Sequence, residues 1–129
     1  MSPRQLEIAR EWIRRAESNL VRAQQAKQEQ VYWEDLCFDA QQAAEKSLKA
    51  IFILHAKKFP FTYDIGELLS ELEAFIPDIP DAVRTAFILT DYAVATRYPG
   101  WGKPVTSEEY QEALAKSLLV FQWAKSLIA

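Results

Sequence analysis

The residues best suited to chemistry lie close together in one short segment of this 129-residue chain, Arg97-Tyr98-Pro99-Gly100-Trp101. A guanidinium can make a bidentate contact with a phosphate, and a neighbouring aromatic ring can stack on a nucleobase. The same residues also suit the end of a helix, because the helix dipole favours a cation in the last turn and Pro-Gly stops the helix. The segment therefore predicts either a phosphate-binding site at Arg97 and Tyr98 or a helix terminus.

A second group of polar residues follows one face of a predicted helix in the first half of the chain. The opposite face is small and apolar, with members that recur at helical spacing: Ala40, Ala43, Ala44, Ser47, Leu48 and Ile51. The polar face carries Asp39, Gln42, Lys46 and Lys49. Because small residues let another helix approach closely, the polar stripe should border a tight packing seam and line a charged groove. Asp91 lies in a mostly apolar stretch and would need a partner if buried, which Lys46, Lys49 or Arg97 could supply.

The remaining polar candidates fit structural roles better than chemical ones. Thr62 and Asp64 have the chemistry of a helix N-cap, and Tyr63 between them either presents its hydroxyl at that end of the bundle or packs. His55 stands alone near a helix C-terminus, where a structural role is commoner than that of a base. Cys37 lies on an apolar helix face, which predicts a buried, unreactive thiol. One cysteine and one histidine exclude an intrachain disulfide and a Cys/His zinc site within one chain, so no metal or other cofactor is expected.

The elements that must position these residues are helices. Half of the residues are hydrophobic and only three are glycine, which favours long regular elements. Apolar residues at helical spacing predict two long helices over about residues 3–28 and 32–58. The starts of the helices carry capping or proline signals, namely Ser2 with Gln5, Thr62 or Asp64, Pro80, and Thr106 with Glu109. The fourth helix should stop before Pro99. The chain is thus expected to form a single all-α domain over residues 1–129, an up-and-down bundle of four to five helices.

Charge is unevenly distributed along the chain. The net charge of −3 argues against generic nucleic-acid binding, but residues 1–28 hold six Arg or Lys against three Glu, a balance of +3. This basic first helix either faces phosphate or is an ordinary solvated face. Residues 64–81 hold six acidic residues and no basic one, so this flank should be negative. The N-terminus does not resemble a signal peptide and no apolar run approaches the length of a membrane span, so a cytoplasmic protein without membrane contact is expected.

Several motifs occur in a fixed order over residues 12–99. In chain order they are Trp12, Ala16-Glu17-Ser18-Asn19-Leu20, the block from Phe38 to Ala50, Thr62-Tyr63-Asp64-Ile65, Tyr92 and Ala95-Thr96-Arg97-Tyr98-Pro99. Together they resemble the HEPN domain family, prokaryotic five-helix bundles often encoded beside a minimal nucleotidyltransferase, and the helix-two block and the Arg-Tyr-Pro ending are the most specific when taken together. The resemblance implies an antiparallel bundle that forms a homodimer, with a groove between the second and fourth helices. It also implies a role in a toxin–antitoxin or related nucleotide-linked system.

Catalytic members of that family are metal-independent ribonucleases in which an arginine is followed, after four to six residues, by a histidine. Arg97 matches the arginine, but the histidine positions hold Gly102, Lys103 and Pro104. Tyr63 stands where the family's Thr-His-Asp segment has its histidine. Because cleavage by that route needs a group that titrates near neutral pH, the sequence does not predict ribonuclease activity.

We therefore expect a non-catalytic protein that binds a nucleotide phosphate or RNA, or a partner nucleotidyltransferase. The expected contact residues are Arg97, Tyr98, Lys46, Lys49, Asp91, Tyr63 and Asp64. Three alternatives stay open: a ribonuclease toxin that uses Arg97 with Lys103 or Tyr63, a dimeric scaffold whose charged groove is a salt-bridge network, and a protein whose Tyr98 accepts a nucleotidyl group. Long helices with several apolar faces also favour a homodimer, with Trp12, Trp33, Trp101 and Trp123 among the apolar residues.

Overall fold

The structure is a computed structural model that describes residues 2–93 and 103–129. Within these ranges the chain forms five α-helices and one 3₁₀ segment, and it contains no strand. In chain order they are α1 (Pro3–Ala23), α2 (Trp33–Leu54), α3 (Ile65–Leu72), α4 (Asp81–Arg84), the 3₁₀ segment (Thr85–Ala93) and α5 (Ser107–Ile128). The predicted all-α bundle is therefore confirmed. No helix in the described part of the chain is long and apolar enough to cross a membrane.

The core forms where α1, α2 and α5 pack together. The apolar stripe of α1 is buried, and so is the small-residue face of α2, with Ala40, Ala43 and Ala44 fully inaccessible to solvent. Close approach allows a side chain of α5 to bond the backbone of α2, since Ser117 Oγ donates to Ala40 O at 2.6 Å. The tight seam predicted from the small residues is thus present.

Two of the predicted helix starts rest on reciprocal capping bonds, which the structure confirms. Ser2 Oγ accepts from Gln5 N at 3.1 Å while Gln5 Oε1 accepts from Ser2 N at 2.9 Å. Thr106 and Glu109 make the same pair of bonds at the start of α5, at 3.1 and 3.0 Å. Each box satisfies a backbone donor that the first helical turn leaves without an intrahelical partner.

Both long helices are shorter than predicted, for different reasons. Beyond Ala23 the chain reads Gln-Gln-Ala-Lys-Gln-Glu-Gln, so further turns of α1 would have no large apolar side chain to pack, and the helix ends there. The end of α2 is a Schellman motif, in which Lys57 N donates to Phe52 O and Ala56 N donates to Ile53 O. Ala56 takes the left-handed conformation with φ 55°, a position that glycine usually fills, so the sequence carries no stop signal there.

The predicted fourth helix is replaced by one α-helical turn followed by a 3₁₀ segment. At three residues per turn, the 3₁₀ winding lines up Ala86 and Leu89, both fully buried. The segment packs against α2, α3 and α5, so tertiary contacts support a winding that helical propensity alone would not predict. The predicted end of the helix near Pro99 lies outside the described residues.

The described tryptophans do not form a separate exposed apolar face. Trp12, Trp33 and Trp123 are half-buried and pack against the core, while Trp101 lies outside the described residues. Among the described residues, the large hydrophobic side chains with the greatest exposure are instead Phe61 and Tyr32. The homodimer therefore remains a prediction, and the tryptophans no longer support it.

Candidate functional site

An open cavity of about 360 Å³ lies between the middle of α2 and the loop that leads into α3. We call this cavity the α2 pocket, and its lining residues are Gln42, Glu45, Lys49, Phe61, Thr62, Tyr63 and Ala93. Ala93 is the last described residue before the gap that contains Arg97 and Tyr98. The volume falls in the range usual for small-molecule sites, which extends from roughly 300 to 1,000 Å³.

Glu45 is the centre of the polar contacts in the α2 pocket. Its Oε2 accepts from Lys49 Nζ at 3.0 Å, and its Oε1 accepts from Gln41 Nε2 at 3.3 Å and Gln42 Nε2 at 3.2 Å. Lys49 also lies 5.0 Å from the centre of the Phe59 ring, within cation–π distance. The lysine charge is therefore compensated by the protein itself, and the pocket carries little net charge from these two groups.

Gln41 of α2 holds the loop that carries Tyr63 against the helix. Its side chain is fully buried, its Nε2 donates to the backbone oxygen of Tyr63 at 2.9 Å, and its Oε1 accepts from Gln42 Nε2 at 2.8 Å. Gln41 was not among the predicted site residues. A signal was available, because Gln41 occupies an apolar position between Cys37 and Ala44 on the buried face of α2, and a polar side chain there must find partners inside the protein.

Thr62 and Asp64 organise the start of α3. Asp64 is the N-cap, with Oδ1 accepting from Glu67 N at 3.2 Å, while Thr62 Oγ1 accepts from Asp64 N at 3.0 Å. Thr90 of the 3₁₀ segment joins them, because its Oγ1 accepts from Ile65 N at 3.0 Å. The predicted capping role is thus present at Asp64, which does not line the α2 pocket.

Lys46 belongs to a different polar network, between α1 and α2. Its Nζ donates to Asn19 Oδ1 at 2.7 Å, and Asn19 Nδ2 donates to Asp39 Oδ1 at 3.0 Å. Arg22 Nε lies 3.4 Å from Asp39 Oδ2 and completes the network. Burial lowers the pKa of Lys46 by disfavouring its charged form, and the neighbouring Glu45 opposes that shift.

The structure therefore brings together only part of the predicted groove. Lys49 and Tyr63 both line the α2 pocket. Lys46, one turn before Lys49 on α2, instead contacts Asn19 of α1. Asp91 is exposed on the 3₁₀ segment and does not line the α2 pocket. Arg97 and Tyr98 lie outside the described residues.

Neither Cys37 nor His55 lines the α2 pocket. Cys37 is buried, and burial raises the pKa of its thiol to about 12, helped by the carboxylates of Glu34 and Glu109. His55 is the exposed C-cap of α2, and its ring centre lies 5.4 Å from that of Phe75. Across residues 2–93 and 103–129, no three or more His, Cys, Asp or Glu side chains are grouped to hold a metal ion.

A family model and two solved structures match most of this chain. The sequence model of the HEPN domain matches residues 9–127. The crystal structure of TT1696 from Thermus thermophilus is similar at 30% sequence identity and a TM-score of 0.79, with 92% of this chain and 96% of that chain covered. The crystal structure of ST0689, an archaeal HEPN homologue, is similar at 26% identity and a TM-score of 0.74, with 94% and 98% covered. No curated protein sequence matches the chain.

The family model covers nearly the whole chain, and the helical arrangement agrees with that of a HEPN homologue over a similar length. The motifs that first indicated this resemblance include Gln42, Glu45, Lys49, Thr62 and Tyr63, all of which line the α2 pocket. The chain belongs to the HEPN domain family.

Proposed function

We propose that this protein binds a nucleotide without cleaving it, with the base in the α2 pocket and the phosphate directed towards Arg97. The observation that carries the proposal is the pair of exposed aromatic side chains in the pocket lining. Phe61 is 91% exposed and Tyr63 is 50% exposed. Aromatic rings left open to solvent beside a cavity offer stacking surfaces, which bind any base through its π face.

The polar groups of the pocket suit a base better than a phosphate. Because Lys49 is paired with Glu45, it offers little net attraction for an anion. Gln42 Oε1 accepts no hydrogen bond from a described residue, so the amide can serve as an acceptor for a base edge. The hydroxyl of Thr62 already accepts from Asp64 N and retains its own proton to donate.

Phosphate recognition in this proposal falls to Arg97 and Tyr98. Arg97 follows Ala93 by four residues, so the separation of their Cα atoms cannot exceed about 14 Å. In the proposal, the side chain of an arginine held this close to the pocket lining extends to the phosphate of a nucleotide whose base occupies the pocket. Family membership also supports a nucleotide-linked role beside a minimal nucleotidyltransferase in a toxin–antitoxin-like system, and this context forms part of the proposal.

The chain's histidine content supports binding without cleavage. His55, the one histidine in the sequence, does not line the α2 pocket. Transfer of a proton near neutral pH would then require a tyrosine or lysine with a strongly shifted pKa. Short RNA incubated with the purified protein should therefore remain intact, and RNA cleavage that is lost in Arg97→Ala would favour the ribonuclease alternative instead.

The binding test uses Tyr63→Ala with Tyr32→Ala as its matched control. Both substitutions remove an exposed tyrosine, but Tyr32 is the N-cap of α2 and does not line the pocket. Loss of one stacking contact costs about 1–3 kcal/mol, so Tyr63→Ala should weaken ATP binding roughly 5- to 150-fold in calorimetric titration. Tyr32→Ala should bind as the wild type does, and Arg97→Ala should bind more weakly.

Equal ATP affinity in the wild type, Tyr63→Ala and Arg97→Ala would refute both parts of the site assignment. Wild-type protein that binds no nucleotide would refute the proposed function as a whole. Retained binding in Arg97→Ala, with loss in Tyr63→Ala, would restrict the site to the pocket and refute the assignment of the phosphate contact.

A further inference from the structure

Lys46 and Lys49 lie one turn apart on α2, yet their side-chain nitrogens have different kinds of partner. Lys49 is buried, and its Nζ lies 3.0 Å from the carboxylate of Glu45, which holds it as a cation. Lys46 is half-buried and donates to the amide oxygen of Asn19 at 2.7 Å. Among the described residues no carboxylate forms an ion pair with Lys46. Its partner therefore does not require a positive charge.

The amide of Asn19 fixes the position of Lys46 in either protonation state. Asn19 Nδ2 donates to Asp39 Oδ1 at 3.0 Å, and this bond leaves the amide oxygen directed at Lys46. A neutral amine donates to a carbonyl oxygen as an ammonium does, and it also has a lone pair with which to attack an electrophile. Lys46 can thus lose a proton and keep its hydrogen bond.

Burial and the charges of both helices act on the protonation of Lys46. Burial disfavours the charged form and is the largest cause that lowers the pKa of this lysine. Arg15 and Arg22 of α1 lower that pKa as well. Glu45 and Asp39 of α2 raise it, but they do not outweigh the burial and the arginines. The free amine is therefore present at a lower pH than in an ordinary exposed lysine.

Arg15 and Arg22 offer guanidinium groups to an anion beside this amine. They lie about one helical turn to either side of Asn19 on α1, and 72% and 65% of their side chains are exposed. Arg15 Nε lies 3.9 Å from Glu11 Oε2, and Arg22 Nε lies 3.4 Å from Asp39 Oδ2. Because a guanidinium carries five N–H donors, each arginine keeps donors for phosphate oxygens that approach from solvent.

We propose that Lys46 is a modification site, at which the amine takes an acyl group from an acyl phosphate held by Arg15 and Arg22. Lys46 Nζ attacks the acyl carbon and a C–N bond forms. The bond from that carbon to the phosphate oxygen breaks, inorganic phosphate leaves with the electron pair, and Nζ releases a proton to solvent. The guanidinium groups stabilise the charge on the leaving phosphate. The product is an uncharged amide, so the junction of α1 and α2 loses one positive charge.

The inference is independent of the proposed function, because none of these three residues lines the α2 pocket. The test incubates the full chain with acetyl phosphate and, separately, with p-nitrophenyl acetate, an uncharged donor of the same acyl group. Mass spectrometry of peptides cleaved after glutamate gives the acetylation rate of each lysine. With both donors Lys46 should be acetylated faster than the exposed Lys57 and Lys58. Lys49 should react only after the protein is unfolded in urea, because it is buried and paired.

Arg15→Gln/Arg22→Gln tests the phosphate contact, with Arg10→Gln/Arg14→Gln as the matched control. The control removes the same charge from α1, at positions about 140° or more around the helix from Asn19. The measured quantity is the acetylation rate with acetyl phosphate divided by that with p-nitrophenyl acetate. This ratio cancels a change in protonation, because both donors react with the same free amine. Two exposed charge contacts predict that the Arg15/Arg22 variant lowers the ratio about 2- to 30-fold, and the control should keep the wild-type ratio.

Thermal unfolding of each variant is measured in parallel, because one of the two arginines contacts a buried carboxylate. If Arg22→Gln unfolds the protein, Arg15→Gln alone should still lower the ratio about 1.4- to 5-fold. An unchanged ratio in folded variants would overturn the role of the guanidinium groups. Acetylation of Lys46 that is no faster than that of Lys57 and Lys58 with either donor would overturn the modification site itself.

Discussion

Replacing Gln41 by leucine should destabilise the protein although the two side chains are of similar size. The substitution removes two donated hydrogen bonds, to the backbone oxygen of Tyr63 and to Glu45 Oε1, and one accepted from Gln42. At about 1 kcal/mol for a neutral bond and somewhat more for a bond to a carboxylate, the loss is about 3–4 kcal/mol. Burial of the leucine side chain offsets roughly 1.5 kcal/mol of this. A net cost of about 2 kcal/mol follows.

Urea unfolding followed by circular dichroism measures this cost directly. For a domain of this length about 2 kcal/mol also corresponds to a fall of roughly 6–10 °C in Tm. Gln42→Leu is the matched control, because it makes the same chemical change one residue away at a half-exposed position. The control loses the bond between the two glutamines and Gln42's own bond to Glu45, but water can replace both at a half-exposed position. The difference between the two variants therefore reports the cost of the bonds that Gln41 makes with Tyr63 and Glu45. We expect the control to lose less than about 1 kcal/mol.

The same variant tests whether Gln41 shapes the α2 pocket. Gln41 is fully buried, so weaker ATP binding in folded Gln41→Leu would arise from displacement of the pocket-lining residues that it bonds, namely Tyr63, Gln42 and Glu45. A free energy of unfolding equal to that of Gln42→Leu, together with unchanged ATP affinity, would refute the argument that this side chain holds the pocket wall.

Further predictions concern features elsewhere in the bundle. Asn19→Ala should lose about 2–4 kcal/mol in urea unfolding, because it leaves a buried carboxylate and a lysine without their shared partner. Ala56→Gly should raise stability by about 0.5–1 kcal/mol, since glycine adopts a positive φ without steric cost. Cys37 should resist a thiol-specific reagent at pH 8 in the folded protein and react once urea unfolds it. Thr106→Ala should cost about 1 kcal/mol through loss of the α5 capping box.

Each of these predictions has an outcome that contradicts it. Ser18→Ala is the control for Asn19→Ala, and at its exposed position it should change stability by less than about 0.5 kcal/mol. An equal loss of stability in Ser18→Ala and Asn19→Ala would argue against a stabilising role for the hydrogen bonds of Asn19 with Asp39 and Lys46. Ala26→Gly is the control for Ala56→Gly and should not stabilise the protein, because Ala56 is the only described non-glycine residue with positive φ. Equal stabilisation by both substitutions would contradict the argument from φ. Rapid labelling of Cys37 without denaturant would contradict its burial. An unchanged midpoint of urea unfolding in Thr106→Ala would show that the capping box of α5 contributes little to stability.

The sequence carried enough information to predict the bundle, the starts of its helices and its inward faces, because capping chemistry and apolar spacing are local signals. The end of α2 could not be predicted in the same way, since its Schellman motif uses Ala56 where glycine would have marked the turn. The 3₁₀ winding of residues 85–93 was likewise missed, because it depends on contacts with three other helices.

The candidate site was predictable in part, for reasons that follow from helix geometry. Lys49 and Tyr63 were expected at one groove and both line the α2 pocket. Lys46 was assigned to the same groove, but it lies about 60° around the helix from Lys49 and faces α1. Which flank of a polar stripe meets a neighbouring helix depends on how the helices pack, and a single helix does not encode that. Gln41 was missed because it lies on the apolar face of α2, away from the polar stripe from which the groove was predicted.

The bond network between α1 and α2 has a consequence for the register of the two helices. The buried apolar positions of α1 alternate between alanine and a larger side chain, so sliding the helix by one turn would already disturb the hydrophobic packing. Such a slide would place Arg15 or Ala23 opposite Asp39 in place of Asn19. Alanine would remove the acceptor of Lys46 and one donor to Asp39, and arginine would repel the lysine, whereas the Asn19 amide serves a carboxylate and an ammonium at once. Asn19 thus adds a polar requirement to the alignment that the hydrophobic packing of α1 and α2 already favours.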